Sequence, residues 1–179
     1  KAGIGRYASS LAQALVAQEP GRFALFYNRV AGSRPPAGLG SIPARTVRAG
    51  YKPWRMAILL AHLSRITFNR LVPEAKLFHS TEHLLMPLRG VPTVLTVHDL
   101  IYKLFPEYHK KLNYWYLNLA MPLYCRRADA IIAVSQASKR DIVKYYGVDP
   151  AKIHVVYEAA APHFQPPPPA RIDHVRQTY

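Results

Sequence analysis

A chain of 179 residues, half of them hydrophobic and 19% charged, holds enough apolar matter for one buried domain and is short for two. The balance of 24 Lys and Arg against 10 Asp and Glu leaves a formal charge of +14. Such a field draws polyanions, so nucleic acid, anionic lipid and phosphate-bearing ligands all qualify. The composition of a GC-rich genome, with 16 prolines and Arg/Ala-rich stretches, accounts for the same excess. The composition excludes a disordered chain, and no run of about 18 uncharged apolar residues is present to span a membrane.

In chain order, Gly3-Ile4-Gly5 opens a helix over 5–18, with Ile4, Ala8, Leu11 and Leu15 on one face. Pro20-Gly21 ends it, and the compact apolar run 23–27 reads as a buried strand. Residues 31–41 are a Gly/Pro/Ser loop before a short strand at 44–48. A second helix spans 53–71, with Pro53 in its first turn and Arg55, His62, Arg65 and Asn69 on one side. Its basic face, Trp54 and broad apolar face also suit an interfacial membrane helix, but an alternating α/β pattern requires a sheet-covering helix at this place.

Strands follow at 76–79 and 93–97. The aromatic-rich stretch 110–127 reads as a helix kinked at Pro122, with Leu112, Trp115 or Tyr116, Leu119 and Leu123 as its inward stripe. The apolar strand 130–134 passes to Ser135, which caps a helix closed by Gly147, and Asp149-Pro150 turns the chain into a strand at 153–157. This alternation predicts a doubly wound, Rossmann-like parallel sheet, and the unalternating run AIIAV predicts burial on both faces. Residues 1–165 form one lobe by this reading. Proline-rich 166–179 reads as a linker and the start of a further element. The start at Lys1, without Met or an apolar signal core, is expected of a stretch taken from a longer protein. Cys125, the single cysteine, suits a reducing compartment and reads as a small buried hydrophobe.

Ligands of open α/β sheets bind beyond the carboxyl ends of the strands. Three features fall there. Gly3-Ile4-Gly5-Arg6 is a glycine turn running into a helix, where a backbone can approach a phosphate; a plain tight turn has the same spacing. His98-Asp99 closes an apolar strand with a polar pair. His98 is either a satisfied histidine beside a loop carboxylate or a group that donates to a sugar hydroxyl or phosphate. Ser135 is a helix N-cap whose helix start, with Lys139 and Arg140 near, also faces the crevice. His79, Glu82 and His83 match no reliable ligand spacing, so no metal is expected.

The ordered set GIGRY, FHSTEHLLMPLRGVPTVLTVHDLIYKLFPEYH and RRADAIIAVSQASKRDIVKYYGVDPAKIHVVYEAA resembles glycosyltransferase family 4, the group 1 transferases of GT-B fold, over nearly the whole chain to about residue 165. The resemblance implies the N-terminal, acceptor-side lobe of an enzyme that transfers a sugar with retention and without metal or other cofactor. It implies a sugar nucleotide as co-substrate and a glycan or lipid-linked acceptor read by loops such as 31–41 and 80–92. It places Gly3, Gly5 and Arg6 near donor phosphates or acceptor, and His98 near the transferred sugar, with Asp99 and Ser135 in support. The family pattern opens with a strand before the glycine turn, which is absent from this text. Its Glu-x7-Glu pair belongs to the other lobe, and the spacing of Glu74 and Glu82 is coincidental. The expected setting is cytoplasmic, with an anionic membrane surface as a candidate partner. No nucleic-acid reader motif is present, and the alternative function is a non-catalytic module that binds a nucleotide or anionic glycan.

Overall fold

The computed structural model describes residues 3–30, 35, 38–161 and 164–178. Loop residues 31–34 and 36–37, part of the segment assigned to acceptor reading, lie outside them. Twelve regular elements are used below: α1 Gly3–Gln18, β1 Leu25–Asn28, β2 Ala44–Val47, α2 Tyr51–Ser64, β3 Phe78–Ser80, β4 Thr93–Val97, α3 Ile101–Leu104, α4 Lys111–Arg127, β5 Ala130–Ala133, α5 Gln136–Tyr146, β6 Ile153–Val155 and α6 Pro169–Thr178.

Every strand pairing is parallel, as the alternating pattern requires. Strands β3-β4-β5-β6 form one sheet in chain order, and β1-β2 form a second ladder. Their proximity is carried by side chains: the Phe26 ring meets Phe78 at 5.9 Å and Trp54 at 6.4 Å. The fold is therefore the Rossmann-like parallel α/β arrangement expected from the sequence.

The principal core lies on one face of the larger sheet. Leu95, Val97, Ile131 and Ala133 point into it and meet Ile58 and Leu59 of α2, Leu117, Ala120 and Met121 of α4, and Ile142 of α5. Burial along β5 alternates, Ile131 and Ala133 being fully enclosed and Ala130 and Ile132 half-buried. The AIIAV run thus does not have two equally buried faces. Its apolar character is uniform, while its cover is not.

The inward stripe expected for α4 is overturned in part: Leu123 and Tyr116, one of its two alternatives, do pack against the core. Leu112, Trp115 and Leu119 are exposed, and the enclosed residues are Leu117, Ala120, Met121, Tyr124 and Cys125. Apolar residues occur on both sides of this helix, so periodicity alone could not select the inner one. Contact with α2 and the sheet does. The small side chains of Ala120 and Cys125 let the helix approach closely, and burial pushes the Cys125 thiol up to about 12. The helix runs through Pro122, whose ring sits within its span.

The second helix is shorter than its pattern suggested. It ends at Ser64, where Arg65 takes the left-handed conformation at φ 61°, and a 3-10 turn covers Asn69–Leu71. By contrast α5 ends as its text requires, on Gly147 at φ 62°. The Ser135 hydroxyl accepts the Ser138 amide at its start. The residues Arg55 and His62 do share a side of α2, but that side faces α4.

This packing makes a paired prediction. Leu95→Ala empties part of the core and should cost about 2–5 kcal/mol. Trp115→Ser, on the outer surface of α4, should change stability by less than about 0.5 kcal/mol. Urea unfolding of both variants checks it, and a large loss from Trp115→Ser would restore the discarded stripe.

Candidate functional site

The carboxyl ends of β3, β4, β5 and β6 open on one side of the larger sheet, and His98 sits among them. Its imidazole is held from both sides. Nδ1 lies 3.0 Å from Glu158 Oε1, beyond the end of β6. Nε2 lies 3.1 Å from the Thr81 carbonyl, just after β3. Both partners are acceptors, so a neutral ring satisfies one of them and a doubly protonated ring satisfies both. The main chain is fixed as well, since Ser138 Oγ donates to the His98 carbonyl at 2.9 Å. The Tyr7 ring, from the start of α1, meets the imidazole edge-on with centroids 4.8 Å apart.

Beneath His98 lies a second polar group. His79 Nε2 is 2.8 Å from Thr96 Oγ1, and the Tyr7 hydroxyl is 3.4 Å from the same oxygen. Burial lowers the pKa of His79 and keeps the ring neutral. His83 is lowered mainly by burial too, and its ring centroid lies 6.3 Å from that of His98. The His83 Nε2 and Ser80 Oγ atoms are buried without a hydrogen-bond partner among the described residues. Two buried polar atoms left without a partner at one strand end are costly. Glu82 reaches solvent, yet desolvation of its carboxyl raises its pKa against the opposing pull of Arg55 and His98.

The sequence-derived candidates divide. His98 is at the centre of the crevice, and the glycine segment reaches it through Tyr7. Gly3 and Gly5 lie within the first turn of α1 and not in a loop before it. A Cβ at either position would meet nothing within 4 Å, so packing does not demand glycine there. Arg6 is exposed and in no ion pair among the described residues. Asp99 does not bind His98. Its Oδ1 accepts the Ile101 amide at 2.9 Å and shapes the turn into α3. Ser135 is the cap of α5, linked to His98 only through Ser138. Lys139 points away from the crevice, donating to the Ile153 carbonyl at 2.6 Å. Sequence reading missed Tyr7, Ser138 and Glu158. Glu158 lies 60 residues from His98, and no local spacing connects them. Among the described residues no group of three or more His, Cys, Asp or Glu stands close enough to hold a metal ion.

The model of glycosyltransferase family 4 matches residues 2–161. The chain belongs to that family. Its lobe is similar to the crystal structure of Anabaena HepE in complex with UDP and glucose, at 17% identity and a TM-score of 0.57, covering 99% of this chain and 46% of that one. A second HepE structure, with UDP, gives 19% identity and a TM-score of 0.48, covering 87% and 49% of the two chains. This family member spans about half the length of those structures. No curated protein matches it in sequence.

Three desolvated histidines give this lobe a pH dependence. His62, His79 and His83 all have folded pKa values below the ordinary value, with burial as the main cause. Below about pH 6.5 the unfolded chain takes up protons that the folded one refuses, so stability is full above that pH and falls as pH drops. The urea midpoint should decline between roughly pH 7.5 and 5.5, and His79→Gln should flatten the slope. An unchanged slope in that variant would show that His79 is not buried neutral.

Proposed function

We propose that this chain is the acceptor-side lobe of a retaining hexosyltransferase. It serves the movement of a sugar from a nucleoside diphosphate to a glycan or a lipid-linked acceptor in polysaccharide biosynthesis. The carrying observation is His98 at the carboxyl end of β4, held by Glu158 and Thr81 and flanked by Tyr7. In the transfer, the bond from the anomeric carbon to the diphosphate oxygen breaks and one to the acceptor oxygen forms. The acceptor's proton passes to the departing diphosphate oxygen, and the nucleoside diphosphate leaves.

In this reading His98 positions the transferred sugar. An N–H of its ring donates to a sugar hydroxyl in exchange for the Thr81 carbonyl, while Glu158 keeps the ring from rotating. The exposed first turn of α1, with Gly3, Gly5 and Arg6, receives the phosphates or the acceptor. Metal is not required, because the leaving diphosphate would be stabilised by cationic side chains and helix amides. The setting we propose is the cytoplasmic side of a membrane.

The protein carrying this chain should transfer from UDP-glucose or another sugar nucleotide to a glycan or lipid-linked acceptor. His98→Ala should cut kcat by roughly 10²-fold or more at an unchanged thermal midpoint. Undiminished turnover would remove His98 from the site. Binding of the sugar nucleotide without any transfer by the native protein would favour a non-catalytic module instead. Product anomeric configuration by NMR tests retention, and transfer in excess EDTA tests metal independence.

Gly5 allows a separate check. With open space around its Cβ position, Gly5→Ala should stabilise α1 by about 0.5–1 kcal/mol. If the backbone there meets substrate, the same change raises KM or lowers kcat. Gained stability with intact kinetics would leave Gly5 without a binding role.

A further inference from the structure

We infer that the cleft at the amino end of the larger sheet, lined by Arg65, Arg89 and Arg127, binds a small soluble phosphomonoester. The cleft stands apart from the crevice at His98 and has no part in the transfer proposed there. Thr93, which opens β4, and Asp129, which precedes β5, both line it. His98 lies five residues beyond Thr93, about 16 Å along an extended chain. The loop 80–92 divides between the two places: the Thr81 carbonyl and the His83 ring reach His98, while 85–92 line the cleft. A volume of about 670 Å³ is within the range of small-ligand pockets and leaves room for an organic body beside a phosphate.

Charge selects the ligand. Arg65, Arg89 and Arg127 pair with no carboxylate among the described residues. The cleft's one acid, Asp129, is already engaged by the amide and hydroxyl of Thr93, at 2.7 and 2.9 Å. Three guanidiniums against one carboxylate leave a surplus of two positive charges. A phosphomonoester carries about −1.5 to −2 near neutral pH, and its oxygens suit the planar fork of a guanidinium.

The fold positions each arginine by a different means. Arg127 Nη1 donates to His62 Nδ1 at 3.1 Å, while His62 Nε2 donates to the Leu85 carbonyl at 2.8 Å. The Tyr124 ring packs against that imidazole with centroids 5.0 Å apart. The arrangement requires a neutral ring, which burial provides. Arg89 is fixed through its main chain: Asn69 Nδ2 donates to its carbonyl at 2.9 Å, and Asn69 Oδ1 accepts its amide at 3.0 Å. Arg65 takes the left-handed conformation at the end of α2, with φ 61°, and is the one non-glycine residue of positive φ among the described residues. Glycine is the residue such a position favours. An arginine standing there in spite of the strain points to a use for its side chain.

The test is calorimetric titration of the full chain with glucose 6-phosphate, compared with glucose at matched ionic strength. Glucose 6-phosphate should bind at least about tenfold more tightly than glucose. Arg65→Gly should weaken that binding about tenfold or more without lowering the thermal midpoint, because glycine relieves the positive φ; such a loss is not unfolding. Arg89→Gln should weaken it similarly, and His98→Ala should leave it unchanged. Arg127 is left in place because it holds His62. Equal binding of the two sugars, or native-like affinity in either arginine variant, would overturn the inference. Loss of binding in the His98→Ala variant would assign the phosphate to the crevice and overturn it too. Sedimentation with phosphatidic acid vesicles separates the two sources of a phosphomonoester. Sedimentation that Arg65→Gly abolishes and glucose 6-phosphate does not reverse would assign the cleft to a lipid headgroup and overturn a soluble ligand. No such sedimentation, or its reversal by glucose 6-phosphate, supports the soluble ligand.

Discussion

Strand β4 and its register on its neighbours set the position of everything functional in this lobe. Leu95 and Val97 are completely enclosed on the core side, and Thr96 is completely buried on the other. Parallel ladders hold the strand on both edges, from Phe78 against Thr93 on one side and from Val94 against Ala130 on the other. Its amino end is locked to the next strand by Asp129, which takes both the amide and the hydroxyl of Thr93. A slip of one residue would turn Leu95 and Val97 away from the core and carry His98 out of its place. The cost of burying the strand wrongly is therefore also what aims the histidine.

From that strand the lobe divides into two ends with different chemistry. At the carboxyl end, polar groups converge from four parts of the chain: Tyr7 from α1, the Thr81 carbonyl and the His83 ring after β3, His98 after β4, and Glu158 after β6. The same parallel topology that places strand ends together brings these groups together, although up to 151 positions of sequence separate Tyr7 from Glu158. At the amino end the charges are arginines around a cleft, with buried His62 as their support. Neutral histidines recur at both ends because a desolvated imidazole keeps one donor and one acceptor without the cost of a buried charge.

Local sequence carried most of the element order because each element satisfies its own rule. Ser135 caps α5 and Gly147 closes it; the apolar strands stand between turn residues; Pro20-Gly21 ends α1. It failed where two faces of one helix compete. In α4, Leu112, Trp115 and Leu119 form as good a helical stripe as the enclosed set. The small inner residues Ala120 and Cys125 are favoured by close packing against the sheet, a property of the neighbours and not of the helix. The end of α2 was also illegible, since Arg65 adopts a left-handed conformation without the glycine that would announce it.

The sequence by itself determined the parallel α/β class, the family and the presence of a histidine at a strand end, because these depend on short-range pattern and on the order of motifs. Only the tertiary structure decided what holds that histidine, that Asp99 and Lys139 serve turns and carbonyls away from it, and which sides of α2 and α4 meet solvent. Those outcomes depend on contacts between residues far apart in the chain. A periodicity measured along one helix contains no information about what will be packed against it.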